Sequence, residues 1–146
     1  MKLSTLAHLE GFYYKPRVDK ETLLKHHKGL VVTSGCPAGR VQKYLTDGDF
    51  KKAKSELQEL EQIFGSEQTF IELQRHHFDK YSQDAAVPKD IKAKLKDMFD
   101  QEVKNNQDLV KLSRELGLPI IATNDVHYVD KDDARAQDAI VCVQTG

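Results

Sequence analysis

Apolar residues recur at Phe50, Ala53, Leu57, Leu60 and Phe64, with lysines and glutamates filling the positions between them. That spacing places the five apolar side chains on one face and predicts an amphipathic surface helix. Asp49 supplies its N-cap after the Asp47-Gly48 break, and Gly65 ends it. A longer helical pattern begins near Lys89 and runs to Leu116. Ile91, Leu95 and Met98, then Leu109, Leu112 and Leu116, are expected to face inward. Asn105-Asn106 is a point where it could break, and Gly117 is placed to cap it. Leu3, Leu6 and Leu9 open the chain at helix-compatible spacing. Shorter helices are expected over 20–26, capped by Asp19, and over 41–45, with a last one from near Asp132 that carries Ala136, Ile140 and Val143. Three short apolar runs, 30–33, 69–73 and 118–123, read as buried strands. Residues 78–88 read as a polar excursion.

Helices alternating with strands imply parallel strands joined by crossover helices, an α/β architecture. About three such strands cannot close a barrel, and both edges of the sheet would be exposed. The expectation is a portion of something larger.

Composition narrows the class without naming a chemistry. The 146 residues suit one domain, 39% hydrophobic and 31% charged, with a formal net charge of −1. No basic excess marks a phosphate-neutralising surface. The two cysteines, Cys36 and Cys142, form no CxxC pair, so reduced thiols are expected rather than a disulfide framework. Cys142 is expected in the core of the last helix. No apolar run is long enough for a signal peptide or a membrane span, and the expected setting is soluble and cytoplasmic.

In parallel α/β architectures chemistry collects at the carboxyl ends of the strands. The first expected strand delivers Cys36 between Gly35 and Pro37, the second Gln74 and His76, the third Asp125 and His127. In Asp125-Val126-His127 the outer residues share a face of extended chain, and a carboxylate with an imidazole suits zinc, manganese or iron. The alternative is that Asp125 caps a turn and His127 is an ordinary polar residue. Cys36 likewise reads as a ligand aimed by a turn or as a buried free thiol. Of His76 and His77, adjacent on extended chain, at most one can serve a given site. Glu72, alternating with the apolar residues of its strand, would face a barrel interior or pair with a basic neighbour. G-x-S-x-G, Walker-type, G-x-G-x-x-G and H-E-x-x-H motifs are absent.

Several blocks carry a family resemblance. They are Ala7-His8-Leu9-Glu10-Gly11-Phe12-Tyr13-Tyr14-Lys15-Pro16-Arg17-Val18-Asp19, Ser34-Gly35-Cys36-Pro37-Ala38-Gly39, Phe70-Ile71-Glu72-Leu73-Gln74-Arg75-His76, Ala122-Thr123-Asn124-Asp125-Val126-His127-Tyr128, and the closing Val141-Cys142-Val143-Gln144-Thr145-Gly146. In this order they resemble the PHP (polymerase and histidinol phosphatase) domain of bacterial DNA polymerase III α subunits. They cover nearly the whole chain, apart from a stretch over residues 77–103 that looks like an insertion. The resemblance implies a partial PHP-type distorted α/β barrel, with residues 1–146 an internal portion of that domain. It also implies divalent metals, zinc or manganese, at the strand carboxyl ends. Asp125 and His127 match the family's final D-x-H ligand pair, and Cys36 the position of a cysteine or histidine ligand. His76 lies in a typical strand-exit block and is a further candidate ligand; no general base is identified.

The family's opening H-x-H motif and the ligands that follow it would precede Met1, and the polymerase palm, with its magnesium chemistry, lies outside the chain. By resemblance, the parent is a DNA-directed DNA polymerase with a possible 3′–5′ exonuclease proofreading role in this domain. Its partners would be the rest of the α subunit, the DNA template-primer and other replisome subunits, with no membrane. The chain alone would be inactive and bind metal weakly. Two alternatives stand beside this: a stand-alone PHP phosphoesterase similar to histidinol phosphatase, and a non-catalytic scaffold with a decayed metal site. The Phe12-Tyr13-Tyr14-Lys15-Pro16 block argues against the first, and the joint presence of Cys36, Asp125 and His127 against the second.

Overall fold

The structure, a computed structural model, describes residues 1–145; Gly146, at the end of the closing block quoted above, lies outside the described residues. Helices α1 (Lys2–Leu9) and α2 (Lys20–His26) precede strand β1 (Val32–Thr33). Then come α3 (Arg40–Thr46), α4 (Phe50–Phe64), β2 (Thr69–Gln74), α5 (Phe78–Ser82), α6 (Lys89–Leu116), β3 (Ile120–Thr123) and α7 (Ala134–Thr145). The three strands form one parallel sheet in the order β1-β2-β3. Thr33 pairs with Phe70, and Ile71 to Gln74 pair in register with Ile120 to Thr123.

Because side chains alternate along a strand, this register divides the sheet into two faces. Ile71 and Leu73 turn toward α4 and α6. With Val41, Leu45, Ala53, Leu57, Leu109, Leu112 and Leu118, Ile71 makes the hydrophobic core, and Leu73 packs against it. The stripe that predicted α4 supplies Ala53 and Leu57, both fully buried. The opposite face carries Thr33, Phe70, Glu72, Gln74, Ile121 and Thr123, of which Glu72 and Gln74 are buried. On that side, and along the outer edge of β3, Ile120 and Ile121 remain exposed. Helix α7 makes its main contacts with the 3-10 turn Lys131–Asp133 just before it. Among the described residues no helix is long and apolar enough to cross a membrane.

Several expectations need correction. The first strand is only two residues long, and Leu30 and Val31, expected inside it, are exposed because the chain ahead of it has no pairing partner. β3 begins at Ile120 rather than 118 and is mostly exposed, since among the described residues it is an edge strand paired on one side only, with β2. The excursion over 78–88 contains a helix, α5, which packs on α6. α6 does not break at Asn105-Asn106: the Asn105 side chain is buried and donates to Thr46 Oγ1 at 2.9 Å, so the amide is satisfied without disturbing the helix. Only the second half of α6 faces the core; Ile91 and Met98 are exposed. Cys142 is exposed, not core: the main contacts of α7 are with the turn before it rather than with the sheet.

Gly11 closes a tight loop at the end of α1, where its carbonyl accepts from Arg17 N at 3.2 Å. A Cβ there would lie 2.0 Å from the Arg17 carbonyl oxygen, a backbone atom that cannot swing away. Gly11→Ala is therefore expected to open the loop and destabilise the fold by about 1–2 kcal/mol. The shift in urea midpoint measures it; an unchanged midpoint would show that the loop is not held closed in solution.

Candidate functional site

The carboxyl ends of the strands open onto one cleft of about 620 Å³, lined among others by Cys36, Gln74, His76, Glu102, Asp125 and His127. Each strand delivers its residue by a specific local device. After β1, Ser34 N donates to Phe70 O at 2.9 Å, which prolongs the pairing, and Gly35 turns the chain at φ +83°. A turn closed by Gly39 N donating to Cys36 O at 2.8 Å then holds Cys36 ahead of α3. A Cβ on Gly39 would sit 3.0 Å from that same oxygen, so the turn suits glycine.

His76 follows β2. Its Nδ1 lies 2.6 Å from Glu102 Oε2 on α6, and the same oxygen accepts from His76 N at 2.9 Å. The ring stacks on Phe78, with centroids 5.1 Å apart. A carboxylate accepts only, so Nδ1 carries the proton. In the neutral ring this leaves the Nε2 lone pair free, facing Asp125 Oδ2 at 3.6 Å. His127 is oriented in the same sense, with Nδ1 2.8 Å from the Asp125 carbonyl. Both imidazoles thus offer Nε2, the arrangement by which a carboxylate or carbonyl behind a histidine prepares it for a metal.

The ligand set is one wall of a site rather than a closed one. Among the described residues no group of three or more histidine, cysteine, aspartate and glutamate side chains is arranged to hold one ion. The structure brings the four sequence candidates, Cys36, His76, Asp125 and His127, to the same cleft, and it turns His77 away: that residue adopts φ 55° and starts α5. The donors fit a divalent metal in kind, with two imidazoles, a carboxylate and a thiol. They fall short of it in arrangement, because among the described residues no three of them converge on one point.

Two further residues belong to this end of the sheet. Glu102 was not anticipated, because it lies in the stretch that looked like an insertion. Its signal was present, since it continues the stripe Met98, Glu102, Asn105, Leu109 and Leu112 along α6. Glu72 neither pairs with a basic residue nor stands free. Thr33 donates to it at 2.5 Å, Gln74 Nε2 at 2.9 Å, and Thr123 also donates to it, so its carboxylate joins all three strands. Burial pushes its carboxyl up, but the bonds from Thr123, Thr33 and Gln74 together outweigh burial and hold it below the ordinary glutamate range.

A family model for the PHP domain matches residues 1–76. The chain is 42% identical over 146 residues to DNA polymerase III subunit alpha of Borreliella burgdorferi, covering all of this chain and 11% of that protein. The proteins of the same name from Treponema pallidum and Thermus aquaticus are each 35% identical over 145 residues, covering 99% of this chain and 11% and 10% of themselves. The chain thus spans about a tenth of the length of the curated relatives it matches.

Proposed function

The chain belongs to the PHP domain family, and on that premise we propose that it is an internal segment of a bacterial replicative DNA polymerase α subunit, contributing part of a metal-binding phosphoesterase site. The observation that carries this reading is the convergence of Cys36, His76, Asp125 and His127 on one cleft at the strand carboxyl ends. The two histidines are already oriented through Nδ1, which leaves Nε2 for the metal. Zinc or manganese suits this mixture of nitrogen, oxygen and sulfur donors. When bound, clustered divalent ions supply an activated water and neutralise charge on a phosphodiester. The chain's own residues hold and orient the ions: Cys36, Asp125 and His127 as ligands, His76 as a further one, and Glu102 behind His76. The reaction would be 3′–5′ exonucleolytic proofreading in the parent polymerase. The parent's polymerisation would use magnesium, and its partners would be the rest of the subunit, template-primer DNA and replisome proteins. The parent's setting would be cytoplasmic.

An incomplete ligand wall should bind metal weakly. Zinc titration of the chain, followed by competition with a chromophoric chelator, is expected to give a Kd no tighter than about 10 μM, roughly 7 kcal/mol of binding. His127→Ala should weaken it further. Stoichiometric nanomolar binding abolished by His127→Ala would mean that the site is complete within these residues. No measurable binding at millimolar zinc would remove the metal from the reading altogether.

A further inference from the structure

Another wall of the cleft is built of side-chain amides rather than ligands: Gln42 on α3, Gln74 at the end of β2, and Gln101, Asn105 and Asn106 on α6. Gln42 and Gln74 are only 4% and 6% exposed, and amides this buried normally find partners for their donors and acceptors. The α6 amides partly do, through Gln101 Nε2 to Asn105 Oδ1 at 2.8 Å, Asn105 Nδ2 to Thr46 and Asn106 Nδ2 to Gln74 O. Gln74 Nε2 donates to Glu72 Oε1 and to Thr123 Oγ1. The Glu72 carboxylate accepts only, so the amide cannot be flipped, and Gln74 Oε1 is left buried without a partner. Gln42 makes no side-chain hydrogen bond among the described residues, and its amide atoms, unlike Gln74 Oε1, are not sealed from solvent.

The rest of the cleft shows what could satisfy these groups. His76 and Phe78, both at its lining, stack within 13° of parallel and give it a flat aromatic flank. Asp97, Glu102 and Asp125 line it, and no lysine or arginine does. A free anion is therefore repelled unless a metal comes with it. A flat, uncharged heterocycle with hydrogen-bonding edges matches both the amides and the aromatic flank, and the volume falls within the range of small-molecule sites.

We propose that this cleft is a nucleobase pocket, holding the base of the nucleotide whose phosphate would sit at the Cys36–Asp125–His127 edge. The inference rests on the phosphoesterase reading above, and adds that substrate is gripped by its terminal base. Amides present donor and acceptor side by side, so the pocket accepts any base that can turn its edge to Gln42. That tolerance suits removal of whichever nucleotide ends a strand.

The test uses the 15N-labelled chain with chelator present and deoxyadenosine, which has a base but no phosphate. Deoxyadenosine is expected to shift the Gln42 side-chain amide resonances saturably, with a Kd of about 1 mM. Gln42→Met should weaken that binding about fivefold, the worth of one hydrogen bond. Deoxyribose 5-phosphate should shift nothing until a metal is added. A wild-type chain whose amide resonances do not move with deoxyadenosine overturns the pocket, and this result depends on no variant folding. Equal affinity in Gln42→Met overturns it as well. Manganese broadening at His127 is read separately: its absence would sink the metal-edge reading, while the nucleoside titration still decides the pocket.

Discussion

Glu72→Ala is expected to cost about 3 kcal/mol, more than any single surface change in this chain. Glu72 accepts from side chains on all three strands, through Thr33, Thr123 and Gln74. Alanine removes the acceptor and leaves a buried Gln74 Nε2 and two strand hydroxyls to find new partners, and removing one member of a buried network costs about 3–5 kcal/mol. Glu72→Gln keeps an acceptor, and the threonine hydroxyls can rotate to accept from the new amide, so its cost should be nearer about 1 kcal/mol. The pH dependence separates the charge from the shape. The folded-state pKa of Glu72 lies below its unfolded value, so between the two the unfolded chain binds the extra proton. The stabilisation is therefore fully present above about pH 4.3, the unfolded glutamate value, and is lost as pH falls through the folded one. Urea midpoints of wild type and Glu72→Gln should converge on acidification. A constant gap down the acid limb would mean that the carboxylate is not held by these bonds.

Leu109→Ala is the second large effect, at about 3–4 kcal/mol. Leu109 is fully buried on α6 in the cluster with Leu57, Ile71 and Leu112, where helix meets sheet. Truncation leaves a cavity that the surrounding helices fill only in part. Among the described residues the core cluster holds only eight buried residues, so little other apolar burial offsets the loss. Leu109→Ala is expected to abolish a cooperative thermal transition or to lower it by well over 10 °C. Ile91→Ala, at an exposed position on the same helix, should change stability by less than about 0.5 kcal/mol. Comparable losses at the two positions would mean that the first half of α6 is buried in an assembly.

What could be read along the chain was whatever depends on local spacing. The stripe of α4 and the second half of α6 appear where their apolar periods put them, because an amphipathic helix needs only one partner layer, which this chain supplies. The convergence of Cys36, His76, Asp125 and His127 on one cleft followed from the rule that parallel strands present their carboxyl ends together, whereas the strand order is seen only in the folded sheet. The misreadings share a physical cause. Leu30, Val31, Ile120, Ile121 and Cys142 have apolar character that signals burial, yet burial requires a covering layer that the described residues do not supply. Hydrophobicity states what a residue requires, not whether a neighbour is present to meet it.

Read along the chain, the sequence alone set the alternation of helices with parallel strands, the stripe of α4 and the candidate ligands. Each of these depends on residues a few positions apart or on where a strand ends. The roles of Glu102 behind His76, of Glu72 between the strands and of Gln42 in the cleft wall emerge only once the chain is folded. His76, which defines the role of Glu102, and Thr33 and Thr123, which define that of Glu72, lie 26 to 51 residues away in sequence. A hydrogen bond acts over about 3 Å of space, and nothing in local periodicity records which distant residue the fold brings within it.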